Sequence, residues 1–105
     1  MAYNQAVAAR LQPLLGADLE AKKMFGGVGY LLDGNMVCGV HGNDVILRLG
    51  AEDAAKLLQM PFARVFDMTG RPMKGWVLVD AAVPDDELVY WVEKSIAFAT
   101  TLPPK

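Results

Sequence analysis

Apolar residues at Tyr3, Val7, Leu11 and Leu14 recur at spacings of four, four and three, which lines one face of a helix. That spacing predicts a first helix over about residues 3 to 15, with Gly16 as its stop and Pro13 costing only the last turn. From Val28 the period becomes two. Val28, Tyr30 and Leu32 alternate with Gly29 and Leu31, and Asp33-Gly34-Asn35 supplies the positive φ angles of a hairpin turn. In the next strand, Met36 to His41, Met36, Cys38 and Val40 alternate against Val37, Gly39 and His41; Gly42-Asn43-Asp44 then turns the chain into a third strand, Val45 to Leu49.

Gly50 precedes a second helix whose first turn holds Glu52 and Asp53, where the helix dipole favours acids, and whose buried side holds Leu57 and Leu58. It ends near Met60-Pro61. Arg64 to Asp67 reads as a short strand, Thr69 to Gly75 as a loop of turn formers and Trp76 to Asp80 as a last strand. Pro84 and the acids Asp85, Asp86 and Glu87 open a third helix, which runs to about Thr100 with Leu88, Val92, Ile96 and Ala99 on its apolar face. The order α-β-β-β-α-β-β-α specifies an α+β fold, a two-layer sandwich of a mainly antiparallel sheet with helices packed on one face. No repeat, low-complexity segment or linker interrupts it, so residues 1–105 are expected to form one domain.

Composition narrows the function classes. A chain of 105 residues, 53% hydrophobic and 21% charged, can bury a core without disulfides or metal. The lone Cys38 excludes an intramolecular disulfide and points to a reducing, cytoplasmic setting. A net charge of −2 gives no general attraction for phosphate backbones or anionic lipid. Helix one carries only Arg10 and helix three begins acidic, so neither reads as a recognition helix and no direct nucleic-acid binding is expected. Asn4, Gln5, Arg10 and Gln12 break any signal-peptide core, and no stretch approaches the roughly 20 apolar residues of a membrane helix.

The run Lys23-Met24-Phe25-Gly26-Gly27-Val28-Gly29-Tyr30, the Asp33-Gly34 turn, the strand Asp44 to Arg48 and the segment Phe66-Asp67 through Gly70-Arg71-Pro72-Met73-Lys74-Gly75-Trp76 together resemble the TfoX N-terminal-domain family. The resemblance covers nearly the whole chain. It implies the two-layer α+β arrangement shared with type III secretion chaperones, in agreement with the element order above. Full-length members resembling TfoX/Sxy are regulators of natural competence, which act with the cyclic-AMP receptor protein at particular promoters and carry a second, helical C-terminal domain that these 105 residues lack. The resemblance implies no enzyme and carries over no catalytic residue.

The residues themselves offer little chemistry. Cys38 and His41 are spaced C-x-x-H, but residues three apart on a strand point to opposite faces, and zinc would need two further ligands. Gly26, Gly27 and Gly29 precede a strand, whereas a phosphate-cradling loop needs a helix there. Asp85, Asp86 and Glu87 are explained by the helix start, and neither Ser95 nor Thr69 has a base that its spacing recommends. No catalytic residue, cofactor or metal is therefore expected.

The segment Gly70 to Trp76 places two cations, a thioether and a large aromatic in one loop, and Arg, Met and Trp are favoured at interfaces. Arg71, Met73, Lys74 and Trp76 are the candidate partner-binding residues, with Lys22, Lys23 and Arg64 adding to a local basic patch. In the alternative, Met73 and Trp76 pack inward, Arg71 pairs with Asp67 and Lys74 keeps the strand edge soluble. The expected function is a non-enzymatic interaction or regulatory module that docks a protein partner, a transcription regulator by family resemblance, with a second copy of the chain as a further expected partner. The competing expectation is a small-ligand binder with an apolar pocket between sheet and helices.

Overall fold

The computed structural model describes residues 3–16, 18–24, 27–66 and 74–104. Helix α1 (Gln5–Leu11) begins where the extended Asn4 turns its side-chain oxygen onto the amides of Ala6 and Val7. It is shorter than the apolar spacing predicts. Pro13 has no amide hydrogen with which to continue the ladder, and Gln12–Leu14 tightens into a 3-10 turn instead.

Strand β1 (Glu20–Met24) pairs with β2 (Gly27–Leu32), and the apolar pattern does not announce it. Glu20, Lys22 and Lys23 are exposed, as suits an edge strand that must resist pairing with other chains. Asp33 (φ 52°) and Gly34 (φ 85°) close the predicted hairpin to β3 (Asn35–His41), and a second turn at Gly42 leads to β4 (Asp44–Arg48). Helix α2 (Ala51–Leu57) packs against the sheet and delivers the chain to β5 (Ala63–Val65). Strand β6 (Trp76–Val79) then returns between β4 and β5, and α3 (Asp85–Thr100) completes the fold. The six strands lie in the order β1-β2-β3-β4-β6-β5, each antiparallel to its neighbour, in the α+β arrangement the sequence predicts.

Strand register decides which face is the core. Val28, Val40, Val45 and Val79 form one row across the sheet, and Tyr30, Cys38, Leu47 and Val77 form the next row on the same face. Val7 and Leu11 of α1, Ala54 and Leu57 of α2, and Leu88, Trp91 and Val92 of α3 belong to the same buried cluster. All three helices therefore cover one side. Strict alternation would set Val37 against Cys38, but a β-bulge opposite Tyr30 and Leu31 makes Val37 an extra residue, and both side chains are fully buried in the core.

On the opposite face, the row Lys22, Gly29, Gly39, Ile46, Leu78 and Arg64 crosses the sheet from edge to edge. Arg64 reaches back to Asp44 at 2.6 Å, so its stem runs across β6. Another arginine joins the two ends of the chain: Arg10 of α1 donates to the Asp85 carboxylate (2.7 Å) and to the carbonyls of Ala81 (3.1 Å) and Val83. No described helix is long and apolar enough to cross a membrane.

Candidate docking groove

Ala51, Ala54, Ala55 and Leu58 fall at i, i+3, i+4 and i+7 and so share one face of α2 and its final turn. The three alanine side chains keep this wall low and leave an open groove of about 270 Å³ beside the β5 edge of the sheet. Val65 of β5, 43% exposed, and the stretch Lys74 to Trp76 form the other wall.

The backbone at the head of the groove is held by two glycines. The Gly75 carbonyl accepts hydrogen bonds from the amides of Leu49 (2.8 Å) and Gly50 (3.2 Å), with Gly75 at φ 89° and Gly50 at φ 84°. A Cβ on Gly50 would stand 2.8 Å from the Phe98 ring, and one on Gly75 would stand 3.3 Å from the Gly50 Cα. This close approach sets where Trp76 enters the sheet. The half-buried Trp76 ring lies 5.8 Å from that of Phe66, and the Arg48 guanidinium carbon lies 5.2 Å from the Trp76 centroid and 5.8 Å from that of Phe98.

Of the four residues singled out in the sequence, Lys74, exposed, and Trp76 share this groove. Arg71 and Met73 lie outside the described residues, as does Asp67. The local basic patch with Lys22 and Lys23 does not form, because those residues sit on β1 and Arg64 sits on β5, the two opposite edges of the sheet. Sequence reasoning missed the alanine wall. The i, i+3, i+4 spacing of the alanines is visible in the chain, but alanine favours any helix position and so does not advertise a surface.

Cys38 and His41 stay on opposite faces of β3, since the bulge precedes both. Burial pushes the Cys38 thiol up from 9.0 to about 12. The unfolded chain therefore releases this proton at lower pH than the folded protein does, and stability falls as pH rises from 9.0 toward about 12. Urea midpoints measured across that range should decline less steeply in Cys38→Ala than in the parent chain; equal slopes would show that the thiol ionises as easily folded as unfolded. Ser95 is fully buried on α3 and, like Trp91 Nε1 one turn earlier, has no hydrogen-bond partner among the described residues. The chain's single imidazole points to the other side of the sheet. Among the described residues, no three His, Cys, Asp or Glu side chains gather as a metal site would require.

The family model described as the TfoX N-terminal domain matches residues 9–99. Nothing among the curated proteins matches the chain. The matched span begins within α1, ends one residue short of the last residue of α3 and contains all six strands together with the groove. With most of its length matched in this way, the chain belongs to the TfoX N-terminal domain family.

Proposed function

We propose that this chain is a non-enzymatic protein-interaction module with a regulatory role, of the competence-related kind its family suggests, and that its protein partner docks in the groove between α2 and β6. The observation that carries this reading is the groove itself: an apolar, alanine-walled surface, bordered by an edge strand, with a tryptophan and a lysine on its rim. Buried apolar contact supplies affinity at such a site, and a half-exposed tryptophan is a common anchor.

A photo-crosslinking benzophenone amino acid at the exposed position 55, with the same group at Lys22 on the far edge as control, tests it in extracts of the protein's own cells. Covalent adducts are expected from position 55 and not from position 22, and Lys74→Glu should weaken them roughly tenfold or more, as at an interface hot spot. Equal adducts from both positions, or none from position 55, would remove the groove as a docking site. An adduct of twice the chain's mass would identify the partner as a second copy.

A second reading has its own observation. A hollow of about 300 Å³ opens between the 3-10 turn and strands β1 and β2, lined in part by Leu15, Leu19 and Tyr30. Burial raises the Tyr30 pKa, with the neighbouring Cys38 and Tyr3 adding to the effect, so its hydroxyl stays protonated for a ligand. A small molecule bound there would raise the melting temperature in proportion to the logarithm of its concentration, an effect that Tyr30→Phe would reduce.

A further inference from the structure

A second hollow, of about 350 Å³, opens at the other end of β5 and is lined by Pro61, Phe62, Asp80, Ala82 and Pro84. Phe62 immediately precedes β5, whereas Val65, the last residue of the strand, lines the groove, and the two surfaces share no lining residue among those described. The walls of this hollow are mostly apolar and are fixed by local hydrogen bonds. The Asp80 amide donates to the Phe62 carbonyl (2.9 Å), the Asp80 Oδ1 accepts from the Ala82 amide (2.8 Å) and the Val83 amide donates to the Asp80 carbonyl (3.2 Å). Arg10 of α1 holds the carbonyls of Ala81 and Val83, on either side of Ala82. Proline rings at positions 61 and 84 fix φ at both walls. A ligand that enters therefore finds the loop already ordered, which removes one cost of binding.

We infer that this hollow, independently of the groove, receives a lysine or arginine side chain from a partner protein, with the aliphatic stem on Pro61, Phe62 and Pro84 and the cationic head at the Asp80 carboxylate. Charge complementarity selects this occupant. Asp80 lines the hollow itself, and Pro84 leads directly into Asp85, Asp86 and Glu87 in the first turn of α3; Arg10, the cation beside them, is bound to Asp85 at 2.7 Å. An anion would meet a negative field there. A purely apolar group would strip water from the Asp80 carboxylate without giving it a partner. A basic side chain answers both demands, because its stem covers apolar surface while its head pairs with the carboxylate. A side chain carried by a protein also fits better than a free small cation. The hollow is nearer an open surface than a closed cavity, whereas ligand pockets enclose most of a small molecule.

The test is NMR titration of the intact protein, with the Ala82 methyl group and the Asp80 and Ala82 amides observed at the hollow and the Ala55 methyl group observed at the groove. The first probes are acetyl-lysine methylamide, acetyl-norleucine methylamide and acetyl-glutamate methylamide, which present a cation, a neutral chain and an anion. The lysine compound should shift the Ala82 methyl several-fold more tightly than the other two, and added salt should shrink that preference. Asp80→Asn should abolish it. The asparagine Oδ1 can still accept the Ala82 amide, so the turn is kept, as melting curves of the variant check. The second probes are peptides selected on the protein from a random display library. Those that move Ala82 should carry a lysine or arginine, bind more tightly than the lysine compound, and lose roughly tenfold in affinity when that residue becomes norleucine. Equal binding of the lysine and norleucine compounds, a lysine preference that survives Asp80→Asn, or no shift of Ala82 by any probe would overturn the cation site. Peptides that move Ala55 alone would overturn it as well and leave the groove of the proposed function standing. A lysine compound as tight as the best peptides would overturn the protein donor in favour of a free organic amine, and an Ala82 shift that grows with protein concentration alone would overturn it in favour of a second copy of the chain.

Discussion

Gly39→Ala should destabilise the protein by about 3 kcal/mol and lower its melting temperature by roughly 15 °C. The cause is steric. Strands β2 and β3 approach so closely that a Cβ at Gly39 would lie 2.5 Å from the Val28 carbonyl oxygen, 2.9 Å from the Met36 methyl and 3.3 Å from the Gly29 Cα. The Met36 methyl could swing aside, but the carbonyl and the Cα belong to the backbone of the paired strand, which can yield only by opening the ladder. Gly27 is under the same constraint, because a Cβ there would run into the Val40 carbonyl. The matched control is Gly16→Ala, where the nearest atom would be 4.0 Å away and stability should change by less than about 0.5 kcal/mol. A Gly39→Ala protein that melts with the parent would mean that the hairpin is not wound as tightly as described.

Leu47→Ala should cost about 3–4 kcal/mol, read as a lower denaturant midpoint with an unchanged slope. Leu47 is fully buried on β4, with Cys38 on one side and Val77 on the other in the core-facing row, and α3 packs against its strand. Both neighbours are smaller than leucine and are fixed by strand pairing, so they cannot move in to fill the space. Truncation therefore loses the transfer energy of the removed carbons and leaves most of a cavity as well. At the exposed Val65, the corresponding change to alanine should stay within about 0.5 kcal/mol while weakening partner capture. A cost at Leu47 no larger than at Val65 would place the core elsewhere.

The parts of the fold that were legible in the sequence are those whose residues answer to one physical demand. Asp33-Gly34 reads as a hairpin because the turn needs positive φ at both positions, and Pro84 with its three acids reads as a helix start because the dipole needs them. Strand β1 was hidden because an edge strand answers to solubility, which Glu20, Lys22 and Lys23 serve, rather than to core alternation. The bulge at Val37 was hidden for the opposite reason: two consecutive apolar residues look like an ordinary strand until pairing shows that both face inward. Strand order is a pairing property as well. Arg64 in β5 against the buried Val77 and Val79 in β6 marks which of the two is outermost, but only once both are known to be strands.

The candidate site was half legible for a related reason. Trp76 and Lys74 stand out by residue type, which a chain displays openly. The wall they face is made of alanines, and its value lies in the space they leave. Absent volume leaves no mark on composition or spacing.

The insertion of β6 between β4 and β5 has a consequence for the order in which the molecule can be assembled. β5 is made before β6 yet pairs with nothing else, so it waits as an unpaired three-residue segment until β6 arrives and bonds to both sides. Strands β1 to β4 can zip up as successive hairpins while later residues are still being synthesised, whereas the β5 side cannot. The groove needs Val65 on one strand and Trp76 on the other, so it comes into being only at this last pairing. On the proposed reading, a growing or half-folded chain therefore presents no docking surface, and partner binding would report on a sheet that has already closed.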